Sequence, residues 1–345
     1  MSAQLSSLSG ASSHRIRPKH PALAWIGLAA IGALPLAACG GDGGQSEGAA
    51  SDTITVYTCV SDETIQPIIS DFRDKNPGTE VDLFRAPTGE LNARVAADKR
   101  SGGLRADVIW ACDPLTMQAY VDQGLVGGWV PDDASGIPAD YRTDDYVGAH
   151  ILYMVAVSHD GSKAPKSWDD LTDPGEKVAV PDPSFAASAL GALGYFADSP
   201  DYGVQFYDEL KHNGAVQVSS PDDVTVGVAQ GVYDAGITIA TSAYKAQQDG
   251  SPVQVAWPEP GAIAIYGPVA LVKNSADEKA AKNFVGYVVS KEGQTTVAES
   301  GAYPTMEGID GPTVPEGAPV VLPDWKSIGQ QKDRLLSEYQ SIFGG

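Results

Sequence analysis

Three cysteines and a set of hydroxyl-bearing loop residues are where this sequence could do chemistry. Cys59 follows the apolar run "ITVYT" and Cys112 follows "ADVIWA", so both stand where a short β-rich segment gives way to a polar turn. A thiol in that setting can be a nucleophile, a metal ligand or half of a disulfide. No CxxC pair or close histidine completes a metal set, and no GxSxG elbow, HExxH or Cys–His spacing signals an enzyme. The other candidates are binding residues at the ends of apolar runs. Thr58 and Ser61 flank Cys59; Thr88, Gly89 and Glu90 follow "TEVDLF"; Asp113 follows Cys112. Further on, Ser184 and Ser188 follow "KVAVPD", Ser219 and Ser220 close "AVQVSS", and Thr241, Ser242 and Tyr244 follow "DAGITIA". Hydroxyls and backbone N–H groups converging at helix N-termini form an anion site, although each Ser or Thr serves equally well as a simple N-cap. Glu90, Asp113 or Glu259 would pair with an amine, and Trp257 with Tyr266 would wall the pocket. His150 reads as a structural histidine.

A scaffold has to bring these residues together. "TITVY" reads as a strand, followed by Ser61 at an N-cap position with Asp62 and Glu63 in the first turn. Ile65, Ile68, Ile69 and Phe72 then recur at helical spacing until "NPG" stops the helix. "TEVDLF", "TGELNARVAADKRSG", "ADVIWA" and "DPLTMQAYVDQG" continue as strand, helix, strand and helix. Such alternation with short connections implies βαβ units and a parallel sheet with right-handed crossovers. The pattern repeats through "KVAVPD", "SFAASALGALGYFA", "AVQVSS", "PDDVTVGVAQGVY", "DAGITIAT", "SAYKAQQDG" and "VQVAWP". "HILYMVAVS" is long enough to pass from one lobe to another, and "GPVALVK" to carry the chain back. The expected fold is two-lobed α/β, each lobe a mainly parallel sheet flanked by helices. Residues 53–152 with 264–305 would form one lobe, and 153–263 with 306–345 the other. Leu335, Leu336, Tyr339 and Ile342 of a final helix are available to pack. Ligands are expected in the cleft, at the carboxyl ends of the strands.

The N-terminus places the protein. Residues 1–38 carry Arg15, Arg17 and Lys19, no acid, and most of the apolar stretch "ALAWIGLAAIGALPLAAC", the pattern of a secretory signal. Leu36-Ala37-Ala38-Cys39 resembles the bacterial lipobox, in which the cysteine is lipidated and becomes the new N-terminus. Residues 39–52, mostly "GGDGGQSEGAAS", then form a flexible tether to a lipid anchor. Losing a leader with three basic residues moves the formal charge from −21 to −24, which excludes nucleic acid as a partner. Thiols of an exported protein meet an oxidising compartment. Cys59 and Cys112 end the first and third strands, which in a 2-1-3 order are neighbours about 4.8 Å apart, within reach of disulfide geometry. A bridge stapling the rim of the cleft is expected, two reduced half-buried thiols being the alternative.

Near the C-terminus stands "NSADEKAAKNFVGYVVSKEGQTTVAESGAYPT", a helix through Ala280, Phe284 and Val288 followed by Ser290-Lys291-Glu292-Gly293-Gln294 and Gly301-Ala302-Tyr303-Pro304. This resembles the "SxEGQ…GxYP" segment of the extracellular solute-binding proteins of bacterial ABC importers. "ITVYT", "ADVIWACD" and "PKSWDDLTDP" agree with the family in order, so the resemblance covers nearly all of residues 53–305. It is strongest to the ferric-ion, thiamine, polyamine and aminoethylphosphonate branch. The resemblance implies a periplasmic-binding-protein type II-like fold with hinge strands. The lobes would close over a small solute and deliver it to a permease, with no catalysis, no cofactor and a monomeric body. Ferric-binding members usually carry adjacent tyrosines after the strand matching "GITIA"; here Thr241-Ser242-Ala243-Tyr244 lacks the pair. The expected ligand is therefore an aminoalkylphosphonate or similar small phosphorylated solute, with ferric ion, thiamine or a polyamine as the alternative, and no metal site is assigned.

Overall fold

The computed structural model describes residues 52–312 and 314–344; the expected leader, the expected lipidation site Cys39 and the expected tether up to Ser51 lie outside them. The first lobe opens with β1 (Asp52–Thr58), α1 (Asp62–Lys75), β2 (Thr79–Arg85), α2 (Thr88–Arg100), β3 (Val108–Trp110) and α3 (Pro114–Asp122). The long β4 (Val147–His159) leads to β5 (Val178–Pro181), α4 (Ala187–Asp198), α5 (Gln205–His212), β6 (Val216–Val218), α6 (Pro221–Ala229), β7 (Ala235–Ile239), α7 (Ala240–Gln248) and β8 (Val253–Ala256). Then come β9 (Ala262–Leu271), α8 (Glu278–Val289), α9 (Lys291–Glu299), β10 (Val320–Val321) and α10 (Trp325–Phe343).

The sheet runs β2-β1-β3-β9-β4-β7-β5-β6, with β10 beside β9 and β8 beside β4. β1 is parallel to β2 and β3, and β5 is parallel to β6 and β7, as the βαβ pattern requires. β4 and β9 are the exceptions. The first part of β4 pairs antiparallel with β9, and its last part, from Met154 on, with β7 and β8. The two apolar runs read as crossings thus run between the two halves of the sheet.

Each half has its own core. The stripe Ile65, Ile68, Ile69 and Phe72 is buried under α8, where Phe72 meets Phe284 edge-on at 5.1 Å. Burying each such side chain stabilises by roughly 1.5–3 kcal/mol. In the other half Trp168 is fully buried and donates from Nε1 to Gly261 O at 3.0 Å, while Phe196 stacks on Phe206 at 4.1 Å. The small residues of α4 let α10 approach: a Cβ on Gly194 would stand 2.3 Å from Ile328. α10 packs on α4 and α5 through Ile328, Leu335 and Tyr339. α5 has no counterpart in the sequence reading.

The segment that carried the family resemblance has a mechanical role. Ser290 caps α9 by accepting from Gly293 N at 3.2 Å, and a Cβ on Gly293 would collide with Tyr287 O at 2.1 Å. The buried Gln294 donates to Ala149 O (2.8 Å) and Val288 O (3.0 Å) and accepts from Thr305 N at 2.8 Å. Ile151 N donates to Tyr303 O at 2.8 Å. α9 and the strand-like turn after it are thereby tied to β4, where that strand leaves the first lobe.

Candidate functional site

Between the two halves lies a cavity of ≈ 1100 Å³. One wall is Cys59, Ser61, Glu63 and Thr64 with Arg85, Cys112, His150 and the turn Ser300–Tyr303; the other is the flank of α6 and α7 along its length. Two helix N-termini open on it. Ser61 stands at the N-cap of α1 but makes no cap, its Oγ donating to Thr64 Oγ1 at 3.3 Å instead. α7 begins directly on β7, so its N-cap is the apolar Ile239, which can make no side-chain cap. First-turn N–H groups of both helices are therefore left without a capping side chain, beside the hydroxyls of Ser61, Thr64, Thr241 and Ser242. Such N–H groups, with the helix dipole behind them, favour an anion.

Neutral polar groups complete the lining. Tyr303 is 4% exposed and its hydroxyl is enclosed with no partner. Burial pushes its pKa up, so it stays a neutral hydroxyl. Tyr244 also lines the cavity, and its hydroxyl accepts from Trp257 Nε1 at 2.9 Å. His150 is buried against β3, its Nδ1 accepting from Trp110 Nε1 at 3.1 Å, and burial alone pushes its pKa down to about 4. Of the cationic lining side chains, Lys245 pairs with Asp249 at 2.8 Å, whereas Arg85 donates from Nε to Val60 O at 3.2 Å and has no carboxylate partner among the described residues. Glu63, Asp222 and Asp249 supply carboxylates, Asp222 accepting from Ser242 Oγ. Cys59 and Cys112 form a disulfide with Cα atoms 5.9 Å apart, and both line the cavity. Among the described residues no group of three His, Cys, Asp or Glu could hold a metal, and no helix is long and apolar enough to cross a membrane.

Of the binding residues named from the sequence, the cavity gathers Ser61, Thr241, Ser242 and Tyr244. The others lie elsewhere. Thr58 is fully buried, donating to Trp110 O at 2.8 Å and accepting from Val60 N at 3.0 Å, so it locks β1 to β3. Thr88, Gly89 and Glu90 form the first turn of α2, away from the lining. Asp113 is buried as the N-cap of α3, accepting from Thr116 N at 2.8 Å, and burial raises its pKa. Ser184 accepts from Gln340 Nε2 at 2.9 Å, and Ser188 is buried in α4. Ser219 lies outside the lining, and Ser220 caps α6 by accepting from Asp223 N at 3.1 Å. Trp257 braces Tyr244 from behind, and the backbone of Glu259 pairs with Lys166 and Trp168. Tyr266 belongs to a core of the first lobe rather than to the wall. The sequence reading missed Glu63, Thr64, Arg85, Asp222, Lys245 and Tyr303, and treated His150 as structural although it lines the cleft. Tyr303 sat within the quoted "GAYP", so its motif was visible and its role was not.

Comparison with known proteins agrees with this architecture. Residues 54–302 match the family described as bacterial extracellular solute-binding protein. A sulfate-binding protein of Synechococcus elongatus is 27% identical over 305 residues, covering 82% of this chain and 83% of that protein. A Salmonella typhimurium protein provisionally named a 2-aminoethylphosphonate-binding periplasmic protein is 25% identical over 319 residues, 85% and 93% of the two chains. Among solved structures, the fructose-6-phosphate-bound periplasmic binding protein AfuA of Actinobacillus pleuropneumoniae superposes with a TM-score of 0.76 at 19% identity, over 85% of this chain and 99% of that one. Iron-bound HitA of Pseudomonas aeruginosa superposes at 0.73 with 20% identity, over 84% and 99%. These two likenesses are of fold alone. Two halves joined by crossing strands, a polar cleft between them and a family match across most of the chain converge: this protein belongs to the bacterial extracellular solute-binding proteins, the non-enzymatic receptors that hand small solutes to ABC importers outside the cytoplasm.

Proposed function

We propose that the cleft captures a small phosphonate-type solute, with an aminoalkylphosphonate as the type compound. The observation that carries this reading is the pair of uncapped helix N-termini, α1 and α7, opening on one cavity beside Ser61, Thr64, Thr241 and Ser242. The helix N–H groups and the hydroxyls of Thr64 and Thr241 would hold the phosphonate oxygens, Ser61 and Ser242 already donating to Thr64 and Asp222. Glu63 and Asp222 would face the amine, in place of the acids expected from the sequence. A second reading, ferric ion, is favoured by Tyr244 and Tyr303 lining the same cavity. A thermal-unfolding screen with 2-aminoethylphosphonate, sulfate, molybdate, ferric citrate, thiamine and putrescine decides between them. At 100 times its dissociation constant a true ligand adds about 2.7 kcal/mol of stability. A response to ferric citrate alone would sink the phosphonate assignment.

We also propose that the exported chain is anchored by lipid on Cys39 and works as a monomer. Residues 53–152 with 264–305 would move as one lobe and 153–263 with 306–345 as the other. The packing of α10 on α4 and α5 supports that division. Cys39→Ala should release the body into the medium or periplasm; retention in the membrane fraction would count against the anchor.

A further inference from the structure

Three independent features seat the ring of His150. The register of β4 against β9 slips between Gly148 and His150, and a bulge of this kind re-aims the side chains that follow it. Trp110 Nε1 donates to Nδ1 at 3.1 Å, which makes Nδ1 the acceptor and leaves the proton of the neutral ring on Nε2. Opposite, Gly267 leaves room for the ring: a Cβ there would stand 1.9 Å from His150 Cε1. With Nδ1 and Cε1 so occupied, the remaining edge carries Nε2. That nitrogen makes no hydrogen bond to the protein among the described residues, and His150 lines the cavity.

We propose that His150 is a ligand-contacting residue whose Nε2–H, fixed in that tautomer by Trp110, donates a hydrogen bond to an ionised oxygen of the bound solute. This rests on the oxyanion reading above and adds a residue and a role to it. The ring faces no charged partner that would protonate it, burial being the sole cause acting on its titration. It contributes a donor without a net charge, and an unprotonated oxygen is what a donor of that kind fits. Trp110 acts through His150 and is a positioning residue.

The test uses the exported chain with 15N-labelled histidine, and 2-aminoethylphosphonate, sulfate and molybdate as probes. The free protein should show an unprotonated Nδ1 and a protonated Nε2 at His150, and a saturating probe that binds should move the Nε2 resonance. His150→Phe should weaken that probe by roughly tenfold or more, the loss of one hydrogen bond to an ionised group. His150→Gln, which keeps a donor, should recover part of the affinity, and Trp110→Phe should mix the tautomers and weaken binding less. Circular dichroism spectra matching wild type keep these comparisons free of misfolding. If wild type binds a probe while His150→Phe binds it equally, or Nε2 does not respond, the proposal is overturned and the oxyanion reading stands. If no probe binds wild type, both fall.

Discussion

Replacing Cys59 and Cys112 together by alanine opens a covalent loop whose ends are 53 residues apart. In the chain-entropy description, a bridge closing a loop of that length removes about 4 kcal/mol of freedom from the unfolded ensemble. The folded state should change little, because β1 and β3 are already paired there and Thr58 Oγ1 donates to Trp110 O at 2.8 Å beside the bridge. Near the midpoint a body of about 300 residues loses roughly 0.6 kcal/mol per degree, so the loss corresponds to a fall in Tm of about 6 °C. Calorimetry would compare the oxidised protein, the reduced protein and the double variant. The latter two should melt together, below the first. Equal melting of all three would refute the account, as would alkylation of both thiols in denatured protein that had never been reduced.

Two further substitutions probe the frame that holds the cleft. Gln294→Leu strands Thr305 N and two buried carbonyls, each costing about 1–3 kcal/mol when left unpaired, so urea unfolding should show a loss of about 3 kcal/mol or more; a loss under about 1 kcal/mol would mean that the glutamine is not the tie. Asp170 accepts from Lys163 Nζ and from the N–H groups of Lys166 and Ser167, which hold its pKa down to about 2. A depressed carboxylate adds stability that is whole above its unfolded value of 3.8 and is lost as pH falls through about 2. Asp170→Asn should therefore be less stable at neutral pH and flatter between pH 4 and 2, and an unchanged acid limb would rule this contribution out.

Much of the frame was legible because local periodicity reports burial. The stripe Ile65, Ile68, Ile69 and Phe72 is the buried face of α1, and the two long apolar runs are the strands that cross between halves. The cysteine pairing was legible for the same reason: in a 2-1-3 sheet the first and third strand ends have to be neighbours. α5 was not legible, since its three buried residues, Phe206, Tyr207 and Leu210, follow a Pro200 and a Gly203 that read as loop. The site was half legible. Ser61, Thr241 and Ser242 reach the cavity, whereas Asp113 and Ser220, of equally suitable chemistry, are taken up as caps of their own helices. Thr58 was misplaced by direction, since its hydroxyl turns toward β3 rather than the cleft. Tyr303 and His150 meet the cavity through the long-range Ile151–Tyr303 pairing and a slip in strand register, neither of which leaves a local pattern.

On the proposed anion reading, a chain of formal charge −21 would have to capture its ligand against its own field. The lining sets one cation without a carboxylate partner among the described residues, Arg85, against the carboxylates of Glu63, Asp222 and Asp249, since Lys245 is paired with Asp249. Capture would then depend mainly on short-range donors: helix N–H groups, hydroxyls and the neutral His150. Such donors act over a hydrogen bond, whereas the repulsion reaches over a Debye length, about 30 Å at 0.01 M salt and about 8 Å at 0.15 M. Raising the salt should therefore speed association of sulfate or 2-aminoethylphosphonate severalfold while leaving dissociation nearly unchanged, the doubly charged sulfate showing the larger effect. Stopped-flow fluorescence, with Trp257 beside the cleft as reporter, measures both rates. An association rate that falls with salt would be the mark of attraction by an exposed cation. It would mean that the Arg85 guanidinium, or Lys245 freed from Asp249, meets the solute, and it would refute capture by neutral donors alone.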